Sequence, residues 1–301
     1  MESSTVLSDP ALFAELQGLE LKARLLVEGY LSGLHRSPYR GFSVEFAEHR
    51  EYVPGDDLRY VDWKVFGKTD RFYLKQFHEE TNFTCTLLVD VSESMSYRSE
   101  RAAASKLAYA QWTAAALAYL VIRQRDAVGV ATFDESIRQF VRPGSTAGQW
   151  RDVCRVLESA AARGRSAVGQ TLHELAERLL RRGIVVVISD FFDEFAALAR
   201  GLRHLRFRRH DVLLLQILDP AELEFPFDVP TLFRGLEQWS DLLTDPRGVR
   251  RRYLAELNHH LGQLKGLAHE LGFDYARFRT DQPLAPALAA VLAQRWRRQA
   301  L

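Results

Sequence analysis

From residue 83 onward, short unbroken apolar runs alternate with stretches whose apolar positions recur at helical spacing. The runs "FTCTLLVD" (83–90), "AVGVATF" (127–133), "IVVVIS" (184–189), "DVLLLQIL" (211–218) and "FDYARF" (273–278) read as strands. "IRQFV" (137–141), joined to the second run by a tight turn at "DES", predicts one antiparallel neighbour. Helical spacing predicts helices over about 99–123, 147–162, 170–182, 194–206, 247–271 and from 284 onward, with a small hairpin excursion at 222–245. Upstream, Leu12, Leu16, Leu19, Leu26 and Leu31 predict one amphipathic helix over 10–32, stopped by Gly33. Residues 36–80 show neither rhythm. Charge, aromatics and a turn signal at "VPGDD" predict short strands and loops there.

Apolar strands alternating with helices imply a parallel sheet covered on both faces. The expected fold class is therefore α/β, a doubly wound, mostly parallel, Rossmann-like sheet with one antiparallel edge strand and an N-terminal β-rich extension. The expected domains are an N-terminal helix (1–34), the extension (35–80) and the α/β domain (81–301), with the 222–245 hairpin inserted in the last. Ligands of such folds bind beyond the carboxyl ends of the strands, where strand order reverses.

Asp90 and Asp190 each end an apolar run, so both carboxylates are expected at that rim. "DVSES" adds Ser92 and Ser94 at alternate positions, and "GQTLHEL" (169–175) opens a helix with Thr171 in its first turn. Hydroxyls alone are accounted for by helix capping. Together with two strand-end aspartates they suit a hard cation, which prefers oxygen ligands and keeps some of its waters. Asp90, Ser92, Ser94, Thr171 and Asp190 are thus the candidate metal residues, for one Mg²⁺ or Mn²⁺ ion. "FFDE" (191–194) adds Asp193 and Glu194, able to hold a second metal or close over the first.

Composition narrows the function classes. The 301 residues are 47% hydrophobic and 26% charged, as in a globular protein with a real core, and the net charge of +1 argues against a general polyanion binder. The basic runs "RFRRH", "RGVRRR" and "RWRR" lie in or beside predicted helices and read as solvated faces rather than nucleic-acid contacts. Cys85 and Cys154 sit in apolar surroundings outside any CxxC pair, which suits buried thiols in a reducing compartment. "MESSTVLSDP" lacks the features of a signal peptide, and "WTAAALAYLVI" is too short to span a bilayer. A cytoplasmic protein without a membrane span is expected.

DxSxS after an apolar strand, a threonine in a mid-chain segment, and "SD" after another strand together resemble the metal-ion-dependent adhesion site of von Willebrand factor A domains. The resemblance implies that Ser92, Ser94 and Thr171 touch the metal, while Asp90 and Asp190 act largely through water and hydrogen bonds. "VEFAEHREYVPGDDLRYVDWKVFGKTDRFYLKQFHEET" (44–81) resembles the signature of a bacterial family called domain of unknown function 58, over about residues 35–285. That resemblance implies a von Willebrand A-like domain acting with a MoxR-type AAA+ ATPase, as adaptor or chaperone, on an unknown client protein. An acidic side chain of the partner is the expected contact at the metal. Within the signature, Pro54 and Gly55 set a turn. Arg50, Asp56, Asp57, Arg59 and Asp62 are expected to form an ion-pair network, with Tyr52, Tyr60, Trp63, Phe66, Phe72 and Tyr73 burying an interface. A partner-docking surface is the other reading of this segment.

Other motifs carry less. "FGKTD" (66–70) resembles a phosphate-binding loop but lacks its first glycine, and "GRSAVG" (164–169) is not a nucleophile elbow because residue 168 is Val. "NHH" (258–260) has no ligand-spaced partner and reads as surface histidines. The enzymatic alternative is Mg²⁺-dependent phosphotransfer using Asp90. Such enzymes need a general acid where Ser92 stands, and no His or Lys is placed at the rim by the pattern. A structural scaffold with a vestigial metal site is the third alternative.

Overall fold

The computed structural model describes residues 9–34, 49–51, 73–75 and 84–299. The chain divides into two compact units, Pro38–Asn82 and the remainder. In the smaller unit β1 (His49–Glu51) pairs antiparallel with β2 (Tyr73–Lys75), His49 lying opposite Lys75. The Pro54–Gly55 turn and the ion-pair and aromatic contacts expected of the signature lie outside the described residues.

The larger unit begins with two helices rather than the single one expected over 10–32. These are α1 (Pro10–Glu15), capped by Asp9, whose carboxylate accepts from Ala11 N at 2.8 Å, and α2 (Leu19–Leu34). Gly18 at φ +81° turns the chain between them, a conformation open to glycine at little cost. Phe13, Leu19, Ala23, Leu26 and Val27 are buried in the core of the α/β unit, and Phe13 meets Trp112 edge-on at 5.1 Å. The N-terminal helices therefore pack as part of that unit.

Then follow β3 (Thr84–Asp90), a 3₁₀ turn (Glu93–Ser96), α3 (Lys106–Arg123), β4 (Ala127–Phe133), β5 (Ile137–Gly144), α4 (Ala147–Ser159), α5 (Val168–Arg178), β6 (Ile184–Ser189), α6 (Phe195–Phe207) and β7 (Asp211–Leu218). The chain closes with α7 (Pro220–Glu224), β8 (Thr231–Phe233), β9 (Leu242–Thr244), α8 (Pro246–Glu270), β10 (Asp274–Arg279) and α9 (Leu284–Gln299). Helix α3 begins at Lys106 rather than near Ser99, because the Ser105 hydroxyl caps it by accepting from Ala108 N at 3.2 Å.

Six strands form one sheet in the order β10-β7-β6-β3-β4-β5. All its pairings are parallel except β4–β5. The chain builds outward from β3 to β4 and β5, then returns to β3's other side with β6 and β7. Strand order thus reverses between β3 and β6. Alternate residues of β3 feed opposite faces: Cys85, Leu87 and Val89 join α1–α4 and α9, while Leu88 joins α5, α6 and α8. Helix α5 lies tight on α6. A Cβ on Gly169 would stand 2.3 Å from the Ala197 carbonyl carbon, and one on Gly201 2.5 Å from the Gly169 carbonyl oxygen. Cys85 and Cys154 are buried free thiols. No helix among the described residues is long and apolar enough to cross a membrane.

Candidate metal centre

The reversal point brings four of the five sequence-predicted residues into one hydrogen-bonded chain. Asp90, fully buried at the end of β3, accepts from Ser92 N through Oδ1 at 2.8 Å. Its Oδ2 accepts from the Ser189 hydroxyl at 2.6 Å and the Ser166 hydroxyl at 3.1 Å. The Ser92 and Ser94 hydroxyl oxygens lie 3.1 Å apart, and Ser94 donates to Asp190 Oδ2 at 2.9 Å. Asp190 Oδ1 accepts from Phe192 N at 3.1 Å.

Thr171, the fifth residue, is buried in the first turn of α5, and its hydroxyl has no hydrogen-bond partner among the described residues. A buried hydroxyl without a partner costs free energy, so an absent ligand is the physical explanation to test first. The donor set supports it: neutral hydroxyls and two carboxylates at one rim are the oxygen ligands a hard cation takes. No group of three His, Cys, Asp or Glu suited to a metal gathers among the described residues. Any ion here would depend on the hydroxyls. Burial, then the nearby charge of Asp190, pushes the Asp90 carboxyl up to about 7. Every donor to Asp90 is neutral, so a cation would relieve it.

Lys106 corrects the expectation that the rim carries no Lys or His. Its ammonium, 1% exposed, donates to Asp190 Oδ2 at 2.7 Å and Glu222 Oε1 at 2.6 Å. Burial alone would lower its pKa, but the two carboxylates raise it above the ordinary lysine value. Glu222 is fixed in turn by the capping box of α7, its Oε2 accepting from Asp219 N at 2.8 Å. The sequence signal for Lys106 was a cation on the apolar stripe of α3, in step with the buried Ala110, Thr113 and Leu117. Ser189 stands in the "SD" pair that the sequence singled out, while Ser166 carried no signal beyond standing beside a rim segment.

Asp193 is occupied otherwise than expected. It accepts from Gly169 N at 2.9 Å and Glu194 N at 2.7 Å, joining the amino ends of α5 and α6. The acidic side chain that comes over the rim is Glu237, from the segment between β8 and β9. It accepts from Ser94 N at 3.4 Å and Ser166 N at 3.2 Å. His260 is half-buried rather than a surface histidine, its Nε2 lying 2.8 Å from the Phe191 carbonyl oxygen beside the site.

Strand order and the reversal point define a doubly wound α/β protein with a mostly parallel sheet and one antiparallel edge strand. The family model "Protein of unknown function DUF58" matches residues 48–262, and the chain belongs to that family. It is 32% identical over 226 residues to the uncharacterized protein Rv1480 of Mycobacterium tuberculosis, covering 73% of this chain and 69% of that one. Among solved structures it resembles an aerotolerance-related membrane protein from Bacteroides fragilis, with a TM-score of 0.50 at 16% identity over 70% of this chain and 99% of that one. It also overlaps the SpRpn10 VWA domain, with a TM-score of 0.39 at 11% identity over 70% of this chain and 94% of that one.

Proposed function

We propose that this protein is a non-enzymatic, divalent-metal-dependent interaction module of the cytoplasm. Ser92, Ser94 and Thr171 would hold one Mg²⁺ or Mn²⁺ ion through their hydroxyls, with Asp90 and Asp190 acting through water and hydrogen bonds. When bound, the ion supplies a Lewis-acidic position able to take a carboxylate from another protein. The observation that carries this is the unpartnered, fully buried Thr171 hydroxyl in the helix that follows Ser166, the residue bonded to Asp90. The non-enzymatic reading is supported by the state of the two reactive candidates. Asp90 is held in place by three neutral donors at the buried end of its strand, and Lys106 is locked between two carboxylates. The partner class rests on the family resemblance: a MoxR-type AAA+ ATPase and a client protein that presents an acidic side chain.

Calorimetric titration of Mg²⁺ and Mn²⁺ into the full chain, beside a pull-down of a MoxR-type AAA+ ATPase with Mg²⁺ or EDTA, tests this. Saturable binding of one ion, with EDTA-sensitive capture, is the expected result. Absence of metal binding up to millimolar concentration, with capture indifferent to EDTA, overturns it in favour of a scaffold with a vestigial site.

A further inference from the structure

Glu237 stands in the tight turn between β8 and β9, where Trp239 N donates to Leu236 O at 3.1 Å. Its carboxylate is held by the main-chain N–H groups of Ser94 and Ser166, and its own N–H donates to Glu93 Oε2 at 2.8 Å. Glu237 and Gln238 both have positive φ, 56° and 68°, a pair of conformations that turns normally assign to Asn and Gly. The chain therefore accepts an unfavourable backbone in order to bring a carboxylate to the loops that carry the candidate metal hydroxyls.

Beside Glu237 opens a cavity of roughly 340 Å³, lined by Phe192, Phe225, Phe227 and Phe233 and reached by Lys106 and Arg234. Phe225 stacks on Phe233 with centroids 5.6 Å apart, and Phe227 meets Phe233 edge-on at 5.1 Å. Trp239, one of its lining residues, is exposed. Of the ten large hydrophobic residues exposed among those described, five lie between 229 and 243: Val229, Leu232, Trp239, Leu242 and Leu243. Leu232 and Leu243 are cross-strand partners on β8 and β9, and exposed apolar pairs of this kind suit an interaction site.

We propose that rim and cavity form one docking site for a partner segment in which a carboxylate and an aromatic side chain are sequence neighbours. The partner's carboxylate takes the place of Glu237, and its ring enters the cavity. The proposal rests on the reading of the rim as a carboxylate-binding site. Two observations select this occupant over others. Glu237 shows that the Ser94 and Ser166 N–H groups hold a carboxylate, so a partner's acid must displace an internal one. The cavity is aromatic, with Phe225, Phe227 and Phe233 packed together on its wall and Glu237 on the same lining, a setting for a ring next to a carboxylate.

The test uses full-length protein and fluorescein-labelled Gly-Gly-Glu-Phe-Gly-Gly, with Gln-Phe and Glu-Ala versions as controls, read by fluorescence anisotropy. Glu237→Gln is the matched variant, since it keeps the side chain's size at a half-buried turn; its melting temperature is measured alongside. The Glu-Phe peptide is expected to bind about tenfold more tightly than either control, and about tenfold more tightly again to Glu237→Gln, because the internal competitor is gone. Equal binding of the three peptides, or no gain in Glu237→Gln, overturns the proposal. Running both proteins in Mg²⁺ and in EDTA separates it from the metal reading. Peptide discrimination and the Glu237→Gln gain persisting in EDTA sink the metal and leave the docking site standing. Normal metal titration without peptide discrimination does the reverse. A concentration-dependent dimer in sedimentation, dissolved by Leu243→Asp, would show a second copy seated on this surface and also overturn the proposal.

Discussion

Lys106 Nζ lies 2.7 Å from Asp190 Oδ2, while Asp90, the other strand-end aspartate, is bonded only by neutral N–H and O–H groups. The two carboxylates are thus compensated differently. Asp190 shares a resident cation with Glu222. Asp90 has none, and its pKa is pushed up to about 7. A second cation at the rim would be drawn to the Asp90 and hydroxyl side rather than to a place already taken by an ammonium.

Thr171→Val separates a structural threonine from a ligand. The Thr171 hydroxyl has no protein partner, so its replacement by a methyl group of the same shape removes an unsatisfied buried polar atom. In EDTA the variant is expected to match wild type or exceed it by up to about 1 kcal/mol. Mg²⁺ at about 100 times its dissociation constant should stabilise wild type by about 2.7 kcal/mol and the variant far less. Denaturant melts with and without Mg²⁺ decide this. A variant stabilised as much as wild type would remove Thr171 from the ligand set.

Lys106→Met removes the resident cation and leaves the buried Asp190 carboxylate and the half-buried Glu222 carboxylate without it. Breaking a buried pair from one side costs about 3–5 kcal/mol. Adding Glu222→Gln should recover part of that loss, because one stranded charge is then neutral. Urea melts of the two single variants and the double variant give the coupling directly. Strict additivity would show that the ammonium and Glu222 do not act as a pair.

The strands of the sheet were legible in the sequence because the central ones are uninterrupted apolar runs, and the two strand-end aspartates then located the rim; the order of the strands across the sheet was not. Helix starts were less legible. Residues 99–105 continue a helical rhythm, but Ser105 caps α3 later, and Gly18 divides a helix that Leu12, Leu16 and Leu19 alone would join. At the site, hydroxyl and carboxylate positions followed from local spacing. Lys106, Glu222 and Glu237 arrive from elements far away in sequence, on α3, α7 and the β8–β9 turn, and only tertiary packing joins them to Asp190 and Ser94. Spacing arguments have no reach across such separations.

His210 supplies a pH signature unconnected with the rim. It is 2% exposed at the end of the α6–β7 connection, and burial lowers its pKa, with the nearby Arg208 charge acting in the same direction. The folded state therefore binds fewer protons here than the unfolded chain, whose His titrates near 6.5. Stability from this group is complete above about pH 6.5 and falls as the pH drops below it, until the folded-state pKa is reached. Urea midpoints from pH 7.5 to 5 should show a decline that flattens in His210→Phe. An unchanged slope would assign the acid sensitivity to other groups.

The position of Thr171 depends on how closely α5 approaches α6, and that approach depends on two glycines. A Cβ on Gly169 would stand 2.3 Å from the Ala197 carbonyl carbon and 2.5 Å from its oxygen, backbone atoms that cannot rotate away. Gly169→Ala must then push the amino end of α5 off α6, against the bond from Gly169 N to Asp193 Oδ2 at 2.9 Å. Overpacking of this kind costs about 1–3 kcal/mol. Thr171 lies half a turn further along the same helix, so displacement should also weaken Mg²⁺ binding. Gly169→Ala is therefore expected to show both losses, whereas Thr171→Val shows only loss of the metal. Melts and metal titrations on the two variants make the comparison. If Gly169→Ala loses stability but binds Mg²⁺ as wild type does, the first turn of α5 does not set the metal site and Thr171 is not held there by the α5–α6 contact.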